Sequence, residues 1–126
     1  MNWTGTAIIL AVVAVFYMLK RVGQISHSAA RAHLENGALV IDVRSSAEYN
    51  SGHLPNAINL PLDKIEIALP RRVKDKSQLL LLHCQSGMRS GVARKKLKGL
   101  GYANAFNLGS YDRATRVVRC RQISND

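Results

Sequence analysis

A chain of 126 residues, 47% of them apolar, is long enough for one folded domain with a hydrophobic core and too short for two. Lysine and arginine total 18 against 8 aspartate and glutamate residues, so the formal net charge of +10 favours an anionic partner or surface. Aromatic residues make up only 6% and no nucleic-acid motif is present, so nucleic acid is not an expected partner. The two cysteines, Cys84 and Cys120, exclude a disulfide framework, and neither has the spacing of a metal ligand.

The N-terminal segment carries no charged side chain between residues 2 and 19. Its apolar run from Ala7 to Leu19, with residues 3–5 ahead of it, approaches the roughly 17–25 residues of a membrane-spanning helix. The sequence therefore predicts a transmembrane anchor over residues 1–21, which contacts the membrane through residues 3–19. A cleaved signal peptide is the alternative, but no basic residue precedes the run and no Ala-x-Ala site follows it.

The remainder, residues 22–126, is predicted to be one folded domain. All 18 lysines and arginines, Lys20 and Arg21 among them, follow the apolar run, so the positive-inside rule places this domain in the cytoplasm. A free thiol also suits a reducing compartment. The expected localisation is therefore a single-pass membrane protein with its domain on the cytoplasmic side.

Beyond residue 25 the chain alternates between helical and strand patterns. The predicted helices cover residues 26–35, 45–49, 62–69 and 90–100. The predicted strands cover residues 38–44, 58–61, 79–83 and 103–108. Pro70 is expected to end the third helix, and the basic residues 114–121 are only weakly amphipathic. This alternation predicts an α/β fold with a parallel sheet of four or five strands wrapped by helices.

The site is predicted at residues 84–90, where a buried strand gives way to a helix. Cys84 follows four leucines and a histidine, and Ser90 opens a helical pattern. Backbone N–H groups converge at such a point and the helix dipole adds positive potential, so a thiolate is favoured and the thiol pKa falls. Arg89 offers a fork of donors to a bound anion, and Gly87 permits the backbone angles of a tight loop.

Two chemistries use a cysteine in such a loop: phosphate-ester hydrolysis through a cysteinyl-phosphate, and sulfur transfer through a cysteine persulfide. Four residues separate Cys84 from Arg89. This spacing resembles the active-site loop of the rhodanese (sulfurtransferase) family, whereas cysteine phosphatases of the related fold carry one residue more. Four further stretches follow the rhodanese pattern: Asp42-Val43-Arg44, Glu48-Tyr49, Gly52-His53-Leu54-Pro55 and Ala57-Ile58-Asn59-Leu60-Pro61.

The resemblance covers roughly residues 25–110. The family more often has glycine where Asn56 stands, and it commonly has a Gly-Gly pair and a tryptophan after the last strand. Here that stretch reads Leu108-Gly109-Ser110-Tyr111, and no tryptophan follows, which leaves the C-terminal wall of the pocket and the substrate choice open.

The resemblance implies a rhodanese-like three-layer α/β/α fold and a sulfurtransferase that uses a Cys84 persulfide. It implies a substrate-binding loop of Gln85, Ser86, Gly87, Met88, Arg89 and Ser90. We interpret Asp42, Arg44 and Glu48 as a charge network that supports the loops around the site. The expected substrates are a small anionic sulfur donor such as thiosulfate and, as sulfur acceptor, a thiol, cyanide or a carrier protein. Neither a metal nor an organic cofactor is implied.

Two other functions stay open. The first is a cysteine-based phosphatase or arsenate reductase, although the loop length disfavours a phosphatase and a reductase has only Cys120 as a second thiol. The second is a non-catalytic, membrane-tethered binding module, which usually lacks the cysteine. His53 is interpreted as a turn residue that binds backbone groups, and His83 is predicted to point to the face opposite Cys84.

Overall fold

A computed structural model describes residues 2–124, with the side chains of residues 20–22, 121, 122 and 124 excepted. The helices are α1 (Trp3–Val22), α2 (His27–Glu35), α3 (Ser46–Ser51), α4 (Ile65–Arg72), α5 (Met88–Gly99) and α6 (Tyr111–Ser124). The strands are β1 (Leu39–Asp42), β2 (Ile58–Asn59), β3 (Leu80–His83) and β4 (Ala105–Gly109), and a 3-10 turn at Leu62–Lys64 precedes α4. This alternation confirms the predicted α/β class.

The four strands form one parallel sheet in the order β2-β1-β3-β4. Ile41 of β1 pairs with Ile58 on one side and with Leu82 on the other. Beyond β4, Gln24 forms an isolated parallel bridge with Asn107. Strands of a parallel sheet are covered on both faces, which explains the continuous apolar runs in β1 and β3.

Helices cover the two faces of the sheet and make three layers. On one face, Ile41 and Leu82 belong to a core with Ile65 and Leu69 of α4 and Leu97 of α5. The opposite face carries a second core, formed by α2, α6 and the alternate strand residues, namely Ala30, Leu34, Val40, Leu81, Leu108, Ala114 and Val117. Because successive strand residues point to opposite faces, one short strand contributes to both cores.

The C-terminal tail is helical and closes the second core. Within α6, Ala114 and Val117 are fully buried at a spacing of three residues. Most of the other described side chains of the helix are polar or only half-buried, so its apolar stripe is narrow, and this accounts for the weak amphipathicity of the sequence. Helix α6 therefore covers the face of the sheet opposite α4 and α5.

The prediction that Pro70 ends its helix is wrong, because α4 continues through Pro70 to Arg72. Proline lacks the N–H for one helical hydrogen bond, but its fixed φ is compatible with a helix. The following turn is closed by Val73 N, which donates to Leu69 O at 2.7 Å. One lost bond near the end of a short helix is tolerated.

Helix α1 exposes its large apolar side chains, Ile8 and Leu19 among them. No helix in the described part of the chain is long and apolar enough to cross a membrane. The apolar run from Ala7 to Leu19 has 13 residues, which at about 1.5 Å per residue covers roughly 20 Å of the roughly 30 Å hydrocarbon core. The predicted transmembrane anchor over residues 1–21 is therefore not supported.

Candidate active site

Cys84 lies at the carboxyl edge of the sheet, between the end of β3 and the start of α5. Its side chain is fully buried. Gly87 N donates a hydrogen bond to Cys84 Sγ at 3.0 Å, and the Ser90 hydroxyl oxygen lies 3.5 Å from the same sulfur. The sulfur is thus held inside the loop, with donors directed at it from the first turn of α5.

These donors set the ionisation of the thiol. Burial alone raises the pKa of Cys84, but hydrogen bonds from the Ser90 hydroxyl and from the backbone N–H groups of Ser90, Gly87 and Ser86 outweigh it. The net effect is a lowered thiol pKa, because these bonds favour the thiolate over the thiol. The loop therefore favours the thiolate, which is the nucleophilic form of cysteine.

The loop backbone is fixed at several points. Gly87 has a φ of 92°, and a Cβ there would lie 3.0 Å from Gln24 Nε2 and 3.4 Å from the Gly109 backbone. Glycine is therefore required both by the left-handed backbone and by the lack of space. Cys84 N donates to Gly109 O, and Tyr111 N donates to Gln85 O, each at 3.3 Å.

Asn107, in the middle of β4, supports this loop from below, and the sequence reasoning missed it. Its Nδ2 donates to Gly87 O at 3.1 Å, while its Oδ1 accepts from the Ser90 hydroxyl at 2.7 Å and from Gly109 N at 2.9 Å. A serine hydroxyl has one proton, so Ser90 donates either to Asn107 or to Cys84 Sγ. The available signal was an amide side chain inside an otherwise apolar strand.

Arg89 forms a bidentate ion pair with Glu48, at 2.7 and 2.9 Å. Glu48 is held in place by a capping box at the start of α3, in which its N–H and carboxylate bind Ser45. The ion pair, supported by the Ser45 bonds, lowers the pKa of Glu48 to about 2. The guanidinium keeps its Nε–H and one N–H on each terminal nitrogen for other acceptors.

Asp42 and Arg44 form a second, buried pair. The Asp42 carboxylate accepts from the Arg44 backbone N–H at 2.9 Å and from its guanidinium at 2.7–3.1 Å. Arg44 also donates to Gly52 O at 2.7 Å and lies over the Tyr111 ring, 4.6 Å from its centroid. The three residues interpreted as one charge network thus belong to two separate pairs: Asp42 with Arg44, which binds Gly52 O, and Glu48 with Arg89, which joins α3 to α5.

The two histidines near the site contact neither Cys84 Sγ nor Arg89. The exposed His53 stacks on Tyr49 at 3.8 Å, and its Nδ1 lies 3.0 Å from Tyr49 O. His83 is buried, and its Nε2 lies 3.8 Å from Asp42 Oδ2 without a hydrogen-bond partner. Burial lowers the pKa of His83, which favours the neutral ring.

The remaining loop residues form the rim. Gln85, Ser86 and Met88 are exposed around the buried sulfur. The structure therefore places all the residues predicted for substrate binding, 85–90, around Cys84, although both terminal nitrogens of Arg89 engage Glu48. Among residues 2–124 no group of three or more potential metal ligands occurs.

Comparison with known proteins agrees with this geometry. A model of the rhodanese-like domain matches residues 26–114. The chain is 35% identical over 69 residues to the thiosulfate sulfurtransferase PspE of Escherichia coli, a match that covers 55% of this chain and 66% of PspE. It is 33% identical over 91 residues to a sulfurtransferase of Allochromatium vinosum, which covers 72% of this chain and 82% of that protein.

Among solved structures, the human single-domain sulfurtransferase TSTD1 has a TM-score of 0.63 at 28% identity. That likeness covers 75% of this chain and 96% of TSTD1. The chain spans just under two thirds of PspE and 21% of two longer relatives that it also matches. The likeness therefore concerns the domain that contains Cys84.

Proposed function

This chain belongs to the rhodanese-like domain family, and from that premise we propose that it transfers sulfane sulfur through a persulfide on Cys84. The predicted class of enzyme, thiosulfate sulfurtransferase-like, agrees with the names of its relatives. The observation that carries the proposal is the buried Sγ, which accepts a hydrogen bond from Gly87 N at 3.0 Å and lies 3.5 Å from the Ser90 hydroxyl oxygen. We propose in addition the sulfur donor, the sulfur acceptor and the role of each residue of the site.

In the first half-reaction, the Cys84 thiolate attacks the outer sulfur of thiosulfate. A bond forms between Sγ and that sulfur, the S–S bond of thiosulfate breaks, and sulfite leaves with the electron pair. The N–H groups of the loop and the free N–H groups of Arg89 stabilise the anion while the bond breaks. In the second half-reaction a thiolate, cyanide or a carrier protein takes the outer sulfur, and the electron pair returns to Sγ.

The loop geometry favours sulfur over phosphorus chemistry. A phosphoryl group on the sulfur needs donors for three oxygens, whereas a persulfide adds one atom. In the loop of this chain Arg89 follows Cys84 by only five positions, one fewer than in the cysteine phosphatases of the related fold. We therefore expect no measurable hydrolysis of aryl phosphates.

An arsenate reductase is disfavoured by the position of the second thiol. Cys120 lies nine residues after the first residue of α6, which places it about 14 Å along the helix from the sheet edge where Cys84 lies. A non-catalytic module is disfavoured because the thiol is retained and its pKa is lowered.

The test is mass spectrometry of the intact protein after thiosulfate treatment. We expect one added sulfur, 32 Da, on the wild type and on Cys120→Ser, and none on Cys84→Ser. Addition of cyanide should remove it and release thiocyanate. Equal loss in both variants would indicate a two-thiol redox cycle, and cleavage of aryl phosphates without any persulfide would favour the phosphatase.

We further propose that α1 holds the domain against the cytoplasmic face of a membrane. Its exposed side chains are apolar on all sides of the helix, and the net charge of +10 suits an anionic lipid surface. The wild type should float with anionic vesicles, while a triple aspartate variant at Ile8, Val12 and Phe16 should not. A matched control lowers the net charge by the same three units with glutamine at Lys74, Lys95 and Lys98.

Flotation lost equally in both variants would mean that charge alone binds the lipid. The sidedness is checked by protease added outside intact cells, which should leave the domain uncleaved. Cleavage without permeabilisation would contradict the cytoplasmic location.

A further inference from the structure

A group of cationic side chains, separate from Arg89, lies beside the Cys84 loop on the side away from Arg89. It lines a cleft of about 520 Å³, which we call the cationic cleft, and the cleft walls are Gln24, His27, Ser110, Arg113 and Arg116. In the sheet, β3 lies between β1 and β4. Glu48 and Arg89 therefore meet on the β1 side of Cys84, whereas the cleft lies on the β4 side.

Within the described part of the chain no carboxylate forms an ion pair with this cluster. None of the ion pairs among the described residues includes His27, Arg31, Arg113 or Arg116. The cations instead act on one another: burial and the charges of Arg113, Arg116 and Arg31 all lower the pKa of His27. Such a cluster is stabilised when an anion enters it.

Two of the arginines differ in their freedom to bind a ligand. Arg113 donates to Leu108 O at 2.6 Å and to Ile25 O, so it is held rigidly across the cleft wall. Arg116 is exposed and makes no side-chain hydrogen bond to another described residue. A fixed cation beside a free guanidinium suits a carboxylate, which guanidinium groups bind in a bidentate manner.

The cleft is continuous with the Cys84 loop. Ser110 in its wall forms an antiparallel bridge with Ser86 of the loop. Gln24 lines the cleft and also lines the neighbouring groove along Ser86, Gly87 and Met88. A molecule that reaches from the loop rim into the cleft therefore passes Ser86 and Ser110.

We propose that the cationic cleft binds a carboxylate of the sulfur acceptor, so that the preferred acceptor is a small thiol with carboxylates several bonds from its sulfur. This inference rests on the proposed sulfurtransferase function. Thiosulfate is compact and is held within the loop, so a second anion site is useful only to a larger molecule. Binding of the carboxylate positions the acceptor thiolate over the persulfide, where orientation raises the rate.

The transfer step needs no further reactant. The acceptor thiolate attacks the outer sulfur of the Cys84 persulfide and forms a new S–S bond. The bond between that sulfur and Sγ breaks, and its electron pair returns to Sγ as the thiolate. The acceptor leaves as a persulfide, and the protein is ready for another donor.

The kinetic test uses a matched pair of acceptors, glutathione and its diethyl ester, on protein first loaded with sulfur by thiosulfate. The wild type should transfer sulfur to glutathione about tenfold faster than to the ester. In Arg116→Gln the rate of transfer to glutathione should fall about fivefold, and the rate of transfer to the ester should change little. Arg119→Gln, which removes the same charge from an exposed position on α6 outside the cleft, should behave as the wild type. Equal losses in both variants, or equal use of both acceptors, would overturn the proposal.

A binding test separates this inference from the proposed function. S-methylglutathione cannot accept sulfur, and in Cys84→Ser no persulfide forms. Titration of that variant should shift the NMR signals of residues 110–116, and the further change Arg116→Gln should weaken the shifts about fivefold. If the NMR signals shift but no persulfide forms on the wild type, only the proposed sulfurtransferase function is refuted. If a persulfide forms but the NMR signals do not shift, only the proposed binding of a carboxylate in the cleft is refuted.

Discussion

The two sides of the Cys84 loop carry arginines in opposite circumstances. On the β1 side, Arg44 and Arg89 are each bound to a carboxylate, Asp42 and Glu48, at 2.7 Å. On the β4 side, the arginines of the cationic cleft have no carboxylate partner among the described residues. Paired charges hold loops in place, whereas unpaired charges near a cleft are available to a ligand.

This difference indicates that the paired arginines on the β1 side hold the structure of the site, whereas the unpaired arginines of the cleft select the ligand. Substitutions on the β1 side should change both stability and activity, because they leave an uncompensated charge or a loosened loop. Substitution of Arg116, which is exposed and makes no side-chain hydrogen bond to another described residue, should change the choice of acceptor and leave stability unaltered. The Cys84 loop lies between the two and depends on both flanks for its geometry.

The strongest perturbation is an insertion that displaces both flanks at once. One glycine added between Met88 and Arg89 widens the loop and moves Arg89 relative to the sulfur. Donors misplaced by about 1 Å lose on the order of a hundredfold in rate, so thiosulfate turnover should fall at least that far. Steady-state thiocyanate production measures it, with unchanged circular dichroism as the folding control. Retained activity would show that loop width does not determine the chemistry.

The next perturbation breaks the β1 side alone. Arg89→Lys keeps the charge but loses the bidentate fork to Glu48, so α3 and the loop rim are no longer held together. We expect kcat/KM for thiosulfate to fall about tenfold and the melting temperature to drop by a few degrees. Arg116→Gln is the matched comparison and should leave the melting temperature unchanged. A stable, fully active Arg89→Lys would mean that the pair is not architectural.

A third perturbation removes the support beneath the loop. Asn107→Leu deletes the bonds to Gly87, Gly109 and Ser90. The loop loses its fixed geometry, so the thiol pKa should rise and alkylation at pH 7 should slow by about tenfold. The pH profile of iodoacetamide alkylation, in a Cys120→Ser background, measures the midpoint.

Ser90→Ala is the companion variant, since it removes the hydroxyl donor to Sγ and leaves the rest of the Asn107 network. The midpoint of its alkylation pH profile should also rise, because the thiolate loses one hydrogen bond. A midpoint unchanged in both variants would show that the backbone N–H groups alone lower the thiol pKa.

The smallest effect is the pH dependence of the Arg89 and Glu48 pair. The pKa of Glu48 is lowered from 4.5 to about 2 in the folded protein. The pair therefore stabilises the fold above pH 4.5, and this contribution disappears as the pH falls from 4.5 towards 2. The difference in unfolding free energy between wild type and Glu48→Gln, measured with urea, should be constant above pH 5 and shrink below it. A difference that stays constant down to pH 2 would contradict the pairing.

Much of the fold was predictable from local patterns. The Cys84 loop, the four strands and α2 were located because apolar runs, capping residues and turn residues occur within a few positions of each other. The Cys84 to Arg89 spacing also indicated the family. Such signals are local, and so the sequence by itself contains them.

Other features depended on packing between distant segments. The role of Asn107 arises because β4 lies beside the Cys84 loop, which brings an amide within reach of Ser90 and Gly87 across 17 and 20 positions of sequence. The weak apolar pattern of residues 114–121 did not reveal that Ala114 and Val117 complete a core. Pro70 was misjudged because the cost of one missing bond depends on the length of the helix around it.

The charged residues show most clearly what the sequence determines and what the tertiary structure determines. The sequence by itself determined that cations outnumber anions by ten and that Arg89 follows the nucleophile. Only the tertiary structure decided which arginines are neutralised, since Glu48 reaches Arg89 across 41 positions while Arg113 and Arg116 meet His27 from another helix. Coulomb interactions depend on distance in space, and that distance is set by the packing of strands and helices rather than by order along the chain.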